Sequence, residues 1–233
     1  MIPLKNMDPR RSLPVVTLLL IAANVAVFAY QLSLGPEAGE VFVRTWGLVP
    51  SKIQLALGGR HYTLADALIP LFTCMFLHGG FLHILGNMWF LWIFGANLED
   101  RVGAPSYLFI YLASGIVSGL TQAAFSWGSR LPSIGASGAI SGVLGAYIIL
   151  FPASRILTLV PLFIIWFTAR IPAFVFIGLW FIVQFLSGVG SLGPGGTAKT
   201  GGVAWWAHIG GFLFGVFLAR MKRPPPRAVE YYD

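Results

Sequence analysis

Five polar residues lie in long apolar stretches of this 233-residue chain, where such groups are costly and mark function. They are His78, His83, Asn87, Ser137 and His208. A histidine near a serine can take the hydroxyl proton and later return it to a leaving amine. None of the eight acidic residues lies at this depth in a span. The sequence therefore predicts a Ser137–His208 dyad, with packing rather than a carboxylate positioning the imidazole.

The other polar residues have types that suit oxyanion stabilisation. His83 and Asn87 are four residues apart, so they share one face of a helix. Both side chains can donate hydrogen bonds to an oxyanion, as can the backbone N–H of Ser137. His78 precedes His83 by five residues and points elsewhere, and we place it at the rim, where a loop becomes a helix.

Glycines flank the candidate nucleophile in the sequence Gly-Ala-Ser-Gly, residues 135–138. Gly135 and Gly138 would let a substrate backbone come close, and a helix start at Ser137 would present free N–H groups. Further glycines give two spans small surfaces that allow close helix approach; they are Gly138, Gly142, Gly145, Gly211 and Gly215. Taken singly, each feature is explained by helix packing or by a satisfied buried side chain. Their shared depth and chemistry favour a site.

Composition identifies the elements that must position these residues. The chain is 57% hydrophobic and 10% charged, against about 45–50% and 25% in soluble domains. This indicates an all-α integral membrane protein. Uncharged stretches run over 12–36, 67–98, 102–129, 131–154, 156–169, 171–198 and 200–219. All but 156–169 are long enough to cross a bilayer, which predicts a six-transmembrane-helix bundle. The short segment 156–169 contains Pro161 and is expected at the interface or as a re-entrant segment.

Six spans place both termini on one side. Ten of the 15 Lys and Arg residues then lie on that side, so both termini are expected to be cytoplasmic. The predicted parts are a cytoplasmic tail over 1–12, the six-helix domain over 13–220 and a disordered cytoplasmic tail over 221–233. A mobile loop is expected over Ser187–Gly202. Short tails without a transit peptide suggest a prokaryotic plasma membrane, with the site facing its outer side.

Three motifs, in order and in the expected spans, make this chain resemble the rhomboid family of intramembrane serine proteases. They are His78-xxxx-His83-xxx-Asn87, Gly135-x-Ser137-Gly138 and Ala207-His208-x-x-Gly211-x-x-x-Gly215. The resemblance implies an endopeptidase that needs no cofactor or metal and cleaves membrane proteins in or beside their transmembrane segments. Ser137 would be its nucleophile, His208 its base, His83 and Asn87 its oxyanion donors, and His78 a structural residue.

The chain also departs from the family pattern. Ile69-Pro70 stands where many members have Trp-Arg, and Ser141 where some have a tyrosine that stacks on the catalytic histidine. The imidazole would then be held by Trp205, Trp206 or an aromatic residue of span 5. The aromatic spans 2 and 5 are expected to form a lateral gate for transmembrane substrates.

Two other functions compete with proteolysis. One is a rhomboid-like protein that binds membrane clients without cutting them. The other is a transporter or channel that uses His78, His83 and His208 as metal or proton ligands, although one cysteine and no intramembrane carboxylate make a thin ligand set. Basic residues are scattered, so no nucleic-acid partner is expected. The oligomeric state is left open.

Overall fold

The computed structural model describes residues 1–59, 61–193 and 202–221. The helices are α1 (Val15–Ser33), α2 (Gly35–Trp46), α3 (Pro50–Leu57), α4 (Leu64–Leu68), α5 (Pro70–Thr73), α6 (Phe81–Phe90), α7 (Ala96–Val102), α8 (Ala104–Phe125), α9 (Ser137–Leu150), α10 (Ala173–Gly190) and α11 (Trp205–Met221). A 3₁₀ turn covers Cys74–Phe76. A π-helical segment, Leu91–Gly95, joins α6 to α7. The strands are β1 (Ile2–Asn6), β2 (Arg155–Leu162) and β3 (Ile165–Pro172).

Four helical segments in the described part of the chain are long and apolar enough to cross a membrane: Val15–Ser33, Phe81–Val102, Ala104–Phe125 and Ala173–Gly190. The chain is thus mostly helical and suited to a bilayer. Helix α9 is shorter, about 21 Å at 1.5 Å per residue, and every residue from Gly138 to Tyr147 is buried. It therefore occupies the centre of the bundle, and it begins at Ser137, as the sequence predicts.

Backbone contact between α9 and α11 fixes the distance between them. A Cβ atom added at Gly211 would strike the carbonyl oxygen of Gly138, and one added at Gly215 would strike that of Gly142. Gly145 faces the carbonyl of Phe212 in the same way. The predicted glycine surfaces are confirmed, and they bring the two helices closer than larger side chains would permit.

The structure contains a three-stranded antiparallel sheet, so the prediction of an all-α protein is wrong for this part of the chain. Strand order is β1–β2–β3, so the N-terminal strand pairs with β2 and the segment 156–169 forms most of a β-hairpin. The hairpin is rich in β-branched and aromatic residues, which favour strands. Asn6 bonds to the Tyr147 hydroxyl at 2.6 Å, and Trp89 Nε1 donates to the Pro3 carbonyl at 2.6 Å. The sheet is thereby attached to the helices at the end of α9 opposite Ser137.

Glu99 on α7 accepts hydrogen bonds from the N-terminal turn of α1. Its carboxylate accepts hydrogen bonds from the backbone N–H groups of Val16 and Thr17 and from the Thr17 hydroxyl, each at 2.8 Å. A carboxylate at a helix N-terminus satisfies free donors and complements the helix dipole. Glu99 therefore caps α1 from the neighbouring helix.

The connection between α1 and α5 contains helices α2, α3 and α4. Residues 187–190 of the expected mobile loop Ser187–Gly202 belong to α10. Half of that loop, residues 194–201, lies outside the described residues, as do residues 222–233 of the predicted C-terminal tail.

Candidate active site

The site begins where an irregular lead-in meets the first turn of α9. The Gly135 N–H donates to the Cys74 carbonyl at 2.9 Å, and Leu48 and Ser133 exchange backbone hydrogen bonds. These contacts hold the lead-in against the α3–α5 region. Ser137 is the first residue of α9, so no carbonyl earlier in the helix accepts its N–H. Ser137 therefore presents both its hydroxyl and a free backbone N–H at the start of the helix.

His208 lies one turn into α11 with its ring between two hydrogen-bond partners. Its Nε2 is 2.8 Å from Ser137 Oγ, and its Nδ1 is 2.7 Å from Gln184 Oε1 on α10. An amide oxygen can only accept, so Nδ1 carries the hydrogen and Nε2 presents a lone pair to the serine. His208 and Gln184 are both buried. The arrangement is a serine hydroxyl, an imidazole and an orienting amide in series.

Sequence reasoning missed Gln184. It expected aromatic packing to hold the ring, and part of that is present: Trp180 and Trp205 lie with ring centroids 6.0 Å and 6.3 Å from that of His208. Trp206 instead stacks on Phe125. One feature of the sequence could have identified Gln184: it is a strongly polar amide within the apolar span 5, and such residues mark function by default.

His83 and Asn87 point to the same space, as their spacing predicts. The Gly79 N–H donates to His83 Nδ1 at 3.3 Å, which leaves Nε2 as the ring donor. A Cβ atom built on Gly135 would lie 2.7 Å from His83 Nε2 and 3.6 Å from Asn87 Nδ2. Asn87 Nδ2 is buried and has no hydrogen-bond partner in the part of the chain that the structure describes. Two donors therefore converge beside Ser137 where Gly135 leaves room.

Gly135 and Gly138 have different surroundings. Gly135 has φ +122°, a conformation that favours glycine, and borders the donors. A Cβ on Gly138 would meet the Ser118 side chain on α8. Gly138 therefore packs against α8, and its position beside a substrate stays a prediction.

His78 is not exposed at a rim. The residue is 2% exposed, and its ring contacts those of Phe28 and His83, the latter at 5.1 Å between centroids. Gln31 holds its backbone at both the N–H and the carbonyl, at 3.0 Å and 3.2 Å. His78 thus supports His83 from behind.

A cavity of about 650 Å³ connects these groups. Its polar lining includes His83, Asn87, Ser137, Gln184 and His208. Apolar walls come from α6 and α10, among them Phe90 and Trp180. Within the described ranges, no three His, Cys, Asp or Glu side chains are grouped to hold a metal ion.

Comparison with known proteins identifies the family. A family model for the rhomboid domain matches residues 65–225. This chain belongs to the rhomboid family.

Among the rhomboid relatives is "Rhomboid protein 1, mitochondrial" of Saccharomyces cerevisiae, 34% identical over 202 residues, which cover 84% of this chain and 50% of that protein. "RHOMBOID-like protein 1" of Arabidopsis thaliana is 29% identical over 218 residues, with coverage of 85% and 51%. "Presenilin-associated rhomboid-like protein, mitochondrial" of Homo sapiens is 28% identical over 206 residues, with coverage of 85% and 46%. The chain spans about half the length of these curated relatives.

These relatives contradict the expected prokaryotic plasma membrane. All three are eukaryotic proteins, and two are named as mitochondrial. The error has a physical reason. The distribution of Lys and Arg between the two sides indicates how a protein is oriented in a membrane, but it does not indicate which membrane the protein occupies. The ends of a sequence do not identify a compartment either.

One departure from the rhomboid pattern is now explained. Ser141 lies one turn below the nucleophile, and its hydroxyl donates to the Ser137 carbonyl at 2.6 Å. It cannot stack on the imidazole. In this rhomboid protein the ring of His208 contacts Trp180 and Trp205 and bonds to Gln184.

Proposed function

We propose that this rhomboid protein is an intramembrane serine endopeptidase that hydrolyses peptide bonds in or beside the transmembrane segments of other membrane proteins. The observation that carries this proposal is the 2.8 Å contact between Ser137 Oγ and His208 Nε2 inside a recessed cavity. We take α1, α6–α7, α8, α9, α10 and α11 as six spans, with both termini on the side opposite the site.

Acylation starts with proton transfer within the dyad. His208 Nε2 accepts the hydroxyl proton as Ser137 Oγ attacks the scissile carbonyl carbon. The resulting imidazolium then donates that proton to the leaving amine, which departs with the C-terminal product. Gln184 Oε1 keeps Nδ1–H directed away from the serine throughout, so Nε2 remains the reacting nitrogen. An amide in this third position also occurs in papain-like hydrolases.

Three donors are positioned to stabilise the negative charge on the tetrahedral oxygen. They are the Ser137 N–H, His83 Nε2–H and Asn87 Nδ2. The free Asn87 donor supports this role most directly, because a buried amide nitrogen without a partner is rare in folded proteins. Fixed donors in a cavity stabilise developing charge without reorganisation.

Deacylation repeats the steps with water in place of the amine. Water enters the cavity, loses a proton to His208 Nε2 and attacks the ester carbonyl. The proton returns to Ser137 Oγ as the acyl group leaves as a carboxylic acid. No cofactor takes part in this sequence. Transmembrane substrates would reach the cavity between α6 and α10, which supply its apolar walls.

The test is cleavage of a fluorogenic transmembrane reporter in proteoliposomes. Wild type should cleave, whereas Ser137→Ala and His208→Ala should not. Ser106→Ala, on the opposite side of the bundle at the start of α8, is the matched serine control and should cleave normally. Equal cleavage by all four proteins would refute the mechanism. If the reporter co-purifies with wild type but stays intact, and Ser137 resists a serine-reactive probe, the protein is the client-binding alternative.

A further inference from the structure

The distal part of the β2–β3 hairpin is an uncharged apolar tip that projects from the rest of the molecule. Its sequence over residues 161–167 is Pro-Leu-Phe-Ile-Ile-Trp-Phe. Phe163 is 93% exposed and Ile164 95% exposed, and Ile165 and Trp166 are more than half exposed. A contiguous apolar patch of this kind marks contact with another protein or with lipid.

The base of the same hairpin is firmly attached. Ile156 and Thr158 on β2 are fully buried, and β1 covers one edge of β2 along Ile2–Asn6. Farther out, β2 becomes exposed and β3 is exposed along most of its length. The tip is therefore held out by a rigid support, and its exposure does not come from a loose chain end.

Cations surround the base on one face of the sheet. Lys5 pairs with Leu157, which pairs with Arg170, so the three lie in one row across the strands. Arg155 precedes Leu157 by two residues and lies on the same face. Lys5, Arg155 and Arg170 are all exposed, and in the described part of the chain none of them forms an ion pair with a carboxylate.

The position of the hairpin relates it to the bilayer. Its strands connect the end of α9 to the start of α10, a helix long and apolar enough to span a membrane. The base thus lies where these helices reach the membrane surface, on the side away from Ser137. A strand of eight residues extends about 26 Å, so the tip can reach lipid beside the bundle.

We propose that the hairpin is an interfacial anchor that inserts residues 161–167 into the acyl region of the surrounding bilayer, while Lys5, Arg155 and Arg170 bind the phosphates of anionic lipid headgroups. An apolar tip bordered by cations matches the two requirements of interfacial binding: buried apolar area and attraction to anionic lipid. The anchor attaches the first turn of α10 to the membrane surface.

Site-specific fluorescence tests the insertion. In a Cys74→Ala background that retains reporter cleavage, Ile164→Cys carries an environment-sensitive label at the tip. Met7→Cys carries the same label at the base, where the Met7 N–H bonds to the Arg155 carbonyl. In proteoliposomes, the tip label should be quenched severalfold more strongly by acyl-chain-brominated phosphatidylcholine than by iodide in the buffer. The base label should show the reverse order.

Two results would overturn the insertion. If iodide quenches the tip label as strongly as the base label, the tip lies in water. If neither quencher reaches it and energy transfer between labelled copies rises with protein density, a second copy covers the tip along the free edge of β3.

Lipid retention tests the headgroup contact. Wild type reconstituted in equal parts phosphatidylcholine and phosphatidylglycerol should retain the anionic lipid in excess, by up to about fivefold for each engaged cation. A variant with Lys5→Gln, Arg155→Gln and Arg170→Gln should retain both lipids equally. Lys52→Gln, a cation of α3, is the matched control and should behave as wild type. Equal retention by wild type would refute the headgroup contact even if the tip inserts.

Discussion

Replacing Gln184 by methionine tests whether the candidate base depends on α10 for its orientation. Methionine has a similar length and no strong acceptor, so the change removes the bond to His208 Nδ1 while keeping the volume filled. The ring N–H then lacks a partner in a buried site, which costs about 1–3 kcal/mol. At 1.36 kcal/mol for each factor of ten in rate, kcat should fall by about 5–150-fold. KM should change little, because Gln184 acts through the imidazole.

Glutamate at the same position is the informative counterpart. A carboxylate oxygen can accept the same Nδ1–H, so Gln184→Glu should keep kcat within about tenfold of wild type. A neighbouring negative charge also stabilises the protonated imidazole, which cannot act as a base. The acidic limb of the pH–rate profile should therefore move to higher pH. Loss of packing alone would not produce this shift.

The assay is steady-state cleavage of the transmembrane reporter in proteoliposomes over a range of pH, together with the rate at which a small serine-reactive probe labels Ser137. Val183→Met, an adjacent lipid-facing residue that is 56% exposed, controls for adding methionine to α10. If Gln184→Met retains the wild-type kcat, labelling rate and pH profile, the amide does not orient His208. If the variant loses its thermal transition, the Gln184→Glu profile still decides the question.

The remaining predictions concern the oxyanion donors, the lead-in to α9 and the cap on α1. Asn87→Ala should lower kcat by about 10²–10³ at nearly constant KM, the usual loss for one oxyanion donor; a uniform rise in KM would contradict the role. Gly135→Ala places an alanine at a positive φ and a Cβ atom in the space beside His83 and Asn87. The cleavage rate should therefore fall at least about tenfold. Gly178→Ala, where an added Cβ atom meets open space, is the control and should cleave normally. Glu99→Ala leaves three donors unpaired and should cost about 3 kcal/mol, which differential scanning in detergent should register as a fall of about 6–12 °C in Tm.

The polar core of the site could be predicted because membrane topology carries depth information. In the predicted six-span topology alternate spans run in the same direction, so polar residues near the starts of spans 2, 4 and 6 are expected at similar depth. Ser137, His208, His83 and Asn87 all line one cavity for that reason. The glycine repeats then indicated which two helices approach closely, since small residues at helical spacing have few other uses in a lipid environment.

Other features were hidden for physical reasons. A short apolar run such as 156–169 has no period that separates strand from buried helix. Its pairing with β1 joins positions about 150 residues apart, which no local pattern records. Gln184 is neutral and far in sequence from His208, so a search for charged partners passes over it. The burial of His78 depends on Phe28 and Gln31 from α1, and spacing along one helix cannot report a neighbour on another.

The two hydrogen-bond partners of His208 lie on helices that differ in their freedom to move: Ser137 is on α9 and Gln184 is on α10. Helix α11 meets α9 through backbone contact at Gly211 and Gly215, so the separation between His208 and Ser137 is rigid. Helix α10 presents large apolar residues to lipid along much of its length, including Ile182, Val183 and Leu186, and such residues can exchange lipid neighbours at little cost. A displacement of α10 to admit a transmembrane substrate would break the Gln184 bond before it disturbed the dyad. In the proposed mechanism, proton transfer at the full rate therefore requires α10 to return against α11 after the substrate has entered.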